Sequence, residues 1–253
     1  MSAPLQDNRL EHRRRALLAR IHRRHPTVTE AVSVGHLKLE FTRIADPNRV
    51  LDEVAAAEDL KDRLEGRRDS DQLHLPYWAE LWDSALGVAQ FLVGATLVSP
   101  SASVLDLGCG MGLCGSVAAA LGHRVLFADL EPEALLFARL NSLPNSDRVR
   151  THRLNWRSDR LDESFDLIIG ADILYERAQW EHLDAFWKSH LKDQGEIILG
   201  EPGRQTGHLF VDWVKQRSWV LDETAQPVHT RSNPIRIFRL KRKRESTACK
   251  TVL

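Results

Sequence analysis

Residues 104–115 read Val-Leu-Asp-Leu-Gly-Cys-Gly-Met-Gly-Leu-Cys-Gly, and two glycine-loop patterns overlay them. Gly110, Gly112 and Gly115 fall at the G-x-G-x-x-G spacing of a dinucleotide loop, while Asp106, Gly108, Gly110 and Gly112 fall at D-x-G-x-G-x-G. Either pattern demands the same local structure. An apolar strand must run into a tight turn and then a helix, because glycine lets backbone approach a ligand and the first helical turn presents unpaired N–H groups. The stretch therefore places one strand–turn–helix unit of an α/β protein with a ligand on the turn, and leaves the cofactor class open.

The flanking sequence repeats that unit. Short apolar runs at 104–107, 124–128, 149–154, 165–169 and 196–199 alternate with helix-length segments at 111–121, 132–143 and 176–191. In the last of these Trp180, Leu183, Trp187 and Leu191 share a helical stripe. A further helix near 205–216 and strand-like runs around 219–221 and 235–240 bring the count to about seven strands. Alternation of this kind predicts an α/β fold over a mostly parallel sheet.

Upstream the texture differs. Residues 8–24 read as a basic helix, with seven arginines in the first 25 residues against Asp7 and Glu11. Residues 32–44 alternate apolar and polar around Gly35-His36, which predicts a short hairpin, and residues 46–71 are charged and helix-prone. The organisation expected is a small N-terminal extension over 1–72, a ligand-binding domain over 73–241 and a disordered tail over 242–253. The arginine face reads as a solvated helix, with a phosphate or acidic partner as the alternative.

Composition narrows the class. Lys plus Arg equals Asp plus Glu at 35 each over 253 residues, so no global charge imbalance announces a nucleic-acid partner. Cys109, Cys114 and Cys249 make no disulfide framework, and the eleven histidines form no metal-ligand spacing; His36, His123 and His208 adjoin glycines in expected turns. Cys109 and Cys114 read as small packing residues. With no leader and no apolar run of membrane-spanning length, a cytoplasmic location with no membrane partner is the expectation.

Asp106 separates the two cofactors. A carboxylate at the end of the first strand repels a pyrophosphate packed over the turn but suits the cationic amino group of a methionine moiety. That favours S-adenosylmethionine. Asp129 ends the second strand, 23 positions after Asp106, where an acid can take both ribose hydroxyls.

The chain here resembles the seven-β-strand S-adenosylmethionine-dependent methyltransferases, over residues 75–240. The resemblance rests on LPYWAELWDSALGVAQFL at 75–92, VLDLGCGMGLCG at 104–115, FADLEPEAL at 127–135, LNWR at 154–157 and FDLIIGADILYE at 165–176. The last contains Asp172-Ile-Leu-Tyr175, an Asp-x-x-Tyr pattern like that of a subgroup with many protein-lysine methyltransferases. The resemblance implies a Rossmann-like, doubly wound, seven-stranded sheet with helices on both faces. It also implies cofactor contacts at Trp82, Asp106, Gly108, Gly110, Asp129, Leu130, Trp156 and Ala171. Trp78 and Trp82 lie four apart, so on a helix they share a face; Trp82 matches the family position better.

Methyl transfer needs a nucleophile with a free lone pair, aligned in line with the donor. A lysine acceptor has an ordinary pKa of about 10.4, so it must lose a proton. Asp172, just past the fourth strand, is the candidate to hold the acceptor amine, with a helix cap as its structural alternative. Tyr175 is the candidate to orient it. Glu201, in LGEPGR, is a candidate substrate contact, or else part of a Pro202-Gly203 turn. The expected activity is methylation of a protein lysine. The alternatives are a small-molecule amine, an RNA-associated target, or a silent cofactor-binding module; Asp172-Ile-Leu-Tyr175 differs from the Asn/Asp-Pro-Pro-Tyr run of methyltransferases acting on planar amines.

Overall fold

The computed structural model describes residues 3–65, 76–95 and 101–243. The expected boundary at 72/73, the tail beyond 243 and Cys249 lie outside the described residues. In chain order the elements are α1 (Ala3–Ile21), β1 (Thr27–Val34), β2 (Leu37–Ile44), α2 (Pro47–Glu65), a 3₁₀ turn (Tyr77–Ala79) and α3 (Asp83–Gly94). Then come β3 (Ser103–Leu107), α4 (Leu113–Ala120), β4 (Arg124–Asp129), α5 (Pro132–Asn141), β5 (Val149–Arg153) and β6 (Phe165–Ala171). The chain closes with α6 (Trp180–His190), β7 (Leu191–Glu201), α7 (Gln205–Lys215), β8 (Trp219–Gln226) and β9 (Ile235–Arg242).

One seven-stranded sheet, in the order β5-β4-β3-β6-β7-β9-β8, organises the protein. The five strands from β5 to β7 run parallel, and β9 inserts antiparallel to both β7 and β8. The strand order reverses between β3 and β6, and in such sheets ligands bind outside the carboxyl ends at that switch point.

Both faces of the sheet are covered, which is why its central strands read as apolar runs rather than alternating ones. Val104, Phe127 and Ile169 point toward α3, α4 and α5 in one core, while Leu105, Ile168 and Leu199 point toward α6 and α7 in the other. Trp180, Leu183 and Trp187 supply the buried stripe of α6. Leu191, expected on that stripe, instead opens β7, which is longer than the four residues its sequence suggested.

The N-terminal extension is built into the first core. Leu17 and Ile21 of α1, with Val34, Phe41 and Ile44 of the hairpin, join the cluster that contains Phe137 of α5. Asn141 makes a polar clasp between them. Its Oδ1 accepts the Thr42 N–H at 2.8 Å, and its Nδ2 donates to the Thr42 carbonyl at 3.0 Å and to that of Met111 at 2.9 Å. The hairpin is thereby tied to the glycine turn. Arg9, Arg13, Arg15, Arg20, Arg23 and Arg24 lie exposed on the outer side. No helix among the described residues is long and apolar enough to cross a membrane. Gly207-His208 lies inside α7 and not in a turn, since Gly207 packs its bare Cα over the buried Glu201 carboxyl.

Candidate active site

At the carboxyl ends of β3 and β4 the chain turns through Gly108, Gly110 and Gly112 with φ of +65°, +51° and +83°, a region costly for other residues. The amides of this turn are largely consumed inside the protein. Gly108 and Cys109 N–H both donate to the Ala128 carbonyl, at 2.8 and 3.1 Å, and Gly112 N–H donates to that of Cys109 at 2.9 Å. Gly110 N–H donates to Asp129 at 2.9 Å, and Gly115 N–H donates to Asp106 at 2.8 Å. A pyrophosphate loop works by offering such amides to the ligand. Here they serve the fold and two carboxylates instead.

Gly115, the third glycine of the dinucleotide spacing, has a packing cause. A Cβ there would stand 2.2 Å from the Phe127 ring and 2.8 Å from the Asp106 carboxylate. The spacing is a by-product of α4 lying close on the sheet.

The turn floors a cleft of about 340 Å³. Trp82, Asp106, Gly108, Gly110, Asp129, Leu130, Trp156 and Ala171 all line it, together with Asp172 and Tyr175. Asp106 and Asp129 are both buried. Burial is the main force that lifts the Asp106 carboxyl to about 8, against the Gly115 hydrogen bond, with the Asp129 charge adding to the rise. Burial also lifts Asp129 to about 6, opposed by the amides of Glu131 and Gly110. A doubly acidic, desolvated floor is suited to a cation and adverse to an anion. The Cys109 and Cys114 thiols are likewise pushed well up by burial, which leaves them unreactive packing groups.

Trp156 follows β5 and lies below Gly108; its indole N–H donates to Gln179 Oε1 at 3.2 Å. Trp82 is not on a helix with Trp78. The backbone between them is extended at Glu80 and again at Trp82, which is the N-cap of α3. The two indoles therefore part company. Trp78 packs on Phe137 with His25 edge-on, while Trp82 turns to the cleft mouth and donates its N–H to the Tyr77 carbonyl at 2.9 Å.

The mouth is aromatic. Tyr77 and Tyr175 meet edge-to-face at 5.5 Å, and Tyr77 and Trp82 at 6.1 Å. They are the only tyrosines in the chain, and both line the cleft. Burial first, and the Glu176 charge second, push the Tyr175 hydroxyl up to about 12.

Two of the expected site residues have charged partners inside the fold. Asp172 is not an open carboxylate awaiting an amine, because Arg204 donates Nε to its Oδ1 at 2.9 Å and Nη2 to its Oδ2 at 2.8 Å. Nor does it cap a helix: α6 begins eight residues later. Its φ of +57° makes it the one non-glycine in the left-handed region among the described residues, and its N–H donates to the Gly200 carbonyl at 2.9 Å. Glu201, expected to touch substrate, is 2% exposed and lies outside the cleft. It accepts the Arg204 backbone N–H across the Pro202-Gly203 turn and pairs with Arg236 at 3.3 Å. It fixes the Arg204 backbone at the start of α7. The sequence alone does not single out Arg204 in LGEPGR or Tyr77 in LPYW, because each acquires its place through contacts across the fold.

The family described as lysine methyltransferase matches residues 76–216, from the 3₁₀ turn through the end of α7. The chain belongs to this lysine methyltransferase family. Among its relatives, protein N-lysine methyltransferase METTL21A of Xenopus tropicalis is 31% identical over 201 residues, covering 76% of this chain and 89% of that protein. The electron transfer flavoprotein beta subunit lysine methyltransferase of Danio rerio is 30% identical over 135 residues, 51% of each chain, so this chain matches about half of that relative's length. A solved glycopeptide N-methyltransferase, MtfA with S-adenosyl-L-homocysteine, shares the fold at a TM-score of 0.55 and 15% identity, covering 62% of this chain and 90% of that one.

The cofactor of this lysine methyltransferase is S-adenosylmethionine. The donor set of the cleft fits it: two buried acids, a turn whose amides are largely taken up within the protein, and an apolar wall of Leu130 and Trp156. Among the described residues no cluster of histidine, cysteine or acid could hold a metal ion.

Proposed function

We propose that this chain methylates the Nζ of a lysine side chain in a protein substrate, with S-adenosylhomocysteine as the second product. The observation that carries the reading is the division of one cleft into an acidic floor at the ends of β3 and β4 and an aromatic mouth formed by Tyr77, Trp82 and Tyr175. Bound S-adenosylmethionine supplies an electrophilic methyl group on a sulfonium. Asp106 would hold its α-ammonium, Asp129 its ribose hydroxyls, and Leu130 with Trp156 its adenine.

The remaining residues prepare the acceptor. A slender aliphatic side chain can pass between aromatic walls that shed water and fix its direction, and alignment plus water exclusion supply most of what such a displacement needs. Desolvation in the same walls lowers the lysine pKa from about 10.4 and favours the neutral amine. Tyr175, with its hydroxyl near 12, is a wall and not a base at neutral pH.

The test is to incubate the protein with tritium-labelled donor and a cell extract. Label should enter protein, resist ribonuclease and map by mass spectrometry to methyl-lysine. Label in a ribonuclease-sensitive species overturns the reading.

A further inference from the structure

We propose that Arg204 tunes the acceptor site by occupying Asp172, so that this cleft-lining carboxylate cannot trap the incoming lysine as an ammonium ion. The inference rests on the lysine reading above. Asp172 lines the cleft and Arg204 does not. The guanidinium grips both carboxylate oxygens from outside, in the two-pronged geometry that makes such pairs strong. Its position is over-determined: the Arg204 backbone is pinned to Glu201, and its charge lies over the Trp82 ring at 5.7 Å.

The physical consequence follows from charge. An unpaired carboxylate within about 4–6 Å of an amine raises that amine's pKa by roughly 1–3 units, which is the wrong direction for a reaction that needs the lone pair. Pairing with Arg204 cancels that field to the level of a dipole. The lysine proton then leaves to bulk water, and the freed lone pair forms the new N–C bond as the C–S electrons return to sulfur. Other charged groups face this region. Glu201 and Tyr77 face Arg204; Glu176, Tyr77 and Asp129 face Tyr175; Arg236 neutralises Glu201. Glu80, Glu131 and Arg157 also line the cleft, and among the described residues Arg204 is the cation paired with Asp172. The strained backbone of Asp172 agrees with a carboxylate held in one place for a purpose.

The experiment compares wild type with Arg204→Gln, both saturated with S-adenosylhomocysteine, and titrates n-butylammonium chloride as the lysine-stem probe by ligand-observed NMR at pH 7. Arg204→Gln should bind the probe at least tenfold more tightly, and Asp172→Asn/Arg204→Gln should return to the weak binding of wild type. On a cell-extract acceptor pool, Arg204→Gln should lower both KM and kcat at pH 7, with kcat recovering about one pH unit higher. A residue that merely supports structure would raise KM or depress kcat equally at every pH. Equal or weaker probe binding by Arg204→Gln, or superimposable pH profiles, overturns the proposal while leaving the lysine product intact. Should calorimetry with S-adenosylhomocysteine show that Arg204→Gln does not fold, Arg204→Lys, which keeps the charge but loses the fork, replaces it. It should move the same way by a smaller factor, and no movement overturns the proposal.

Discussion

The Asp106 carboxylate accepts the Gly115 amide at 2.8 Å, one hydrogen bond joining the end of β3 to the first turn of α4. It is the bond that holds the acid in place while burial keeps its proton on up to about pH 8. A cation docking on it must drive that proton off. Affinity for S-adenosylhomocysteine should therefore rise with pH between about 6 and 8, by at most about tenfold per unit, and level off above 8. Calorimetry at pH 7 in two buffers of different ionisation heat should show close to one proton released. Identical heats in both buffers would remove Asp106 from the link.

The same burial makes Asp106 a stability liability. Its folded pKa of about 8 lies above the unfolded value of 3.8, so the folded state holds the extra proton and this group's contribution to stability falls as pH rises from about 4 to 8. Asp106→Asn keeps an acceptor for Gly115 and removes the charge. Urea unfolding should show the variant more stable than wild type at pH 8, by about 1 kcal/mol or more, and equal at pH 4, while binding of the donor product is lost.

Position 172 separates charge from backbone. At φ +57° asparagine is tolerated and alanine is not, a difference of about 1–2 kcal/mol. Asp172→Asn should lose the stability of the charged Arg204 pair yet retain S-adenosylhomocysteine binding, with Asp172→Ala less stable by about a further 1–2 kcal/mol. Equal stability of the two variants would mean that the left-handed backbone costs nothing there.

Tyr175→Phe should retain methyl transfer within about tenfold and keep its pH profile, because a hydroxyl near 12 moves no proton at neutral pH. Tyr175→Ala removes the wall that meets Tyr77 and should cost more, through KM and kcat together. A profile that loses a limb in Tyr175→Phe would restore the hydroxyl to the chemistry.

The arginine-rich helix is structural on its inner side. Ile21 is 2% exposed in the core it shares with Phe137, so Ile21→Ala should cost about 2–5 kcal/mol in chemical unfolding. Arg20→Ala, one residue away and exposed, should cost less than about 0.5 kcal/mol. If both are silent, α1 is not docked on α5.

The sheet and its turn were legible because each rests on local chemistry. Apolar strands bury on two faces, and Asp106, Asp129 and the glycines stand where adjacent strands end. Residues beside strand ends could thus be named before the fold was known. Glu201 and Arg204 could not be sorted in the same way. Glu201 ends β7 and Arg204 lies three residues on, and which of them serves the mouth depends on Asp172, 32 positions before Arg204, and on Arg236, 35 positions after Glu201. For Trp78 and Trp82, i,i+4 spacing speaks only if the backbone is helical, and here it is extended at residues 80 and 82, so the two indoles diverge.

That both tyrosines stand at one opening has a practical consequence. Biosynthetic incorporation of fluorotyrosine would yield a fluorine spectrum of two resonances, each a direct sensor of what enters or leaves, with no background from elsewhere in the polypeptide.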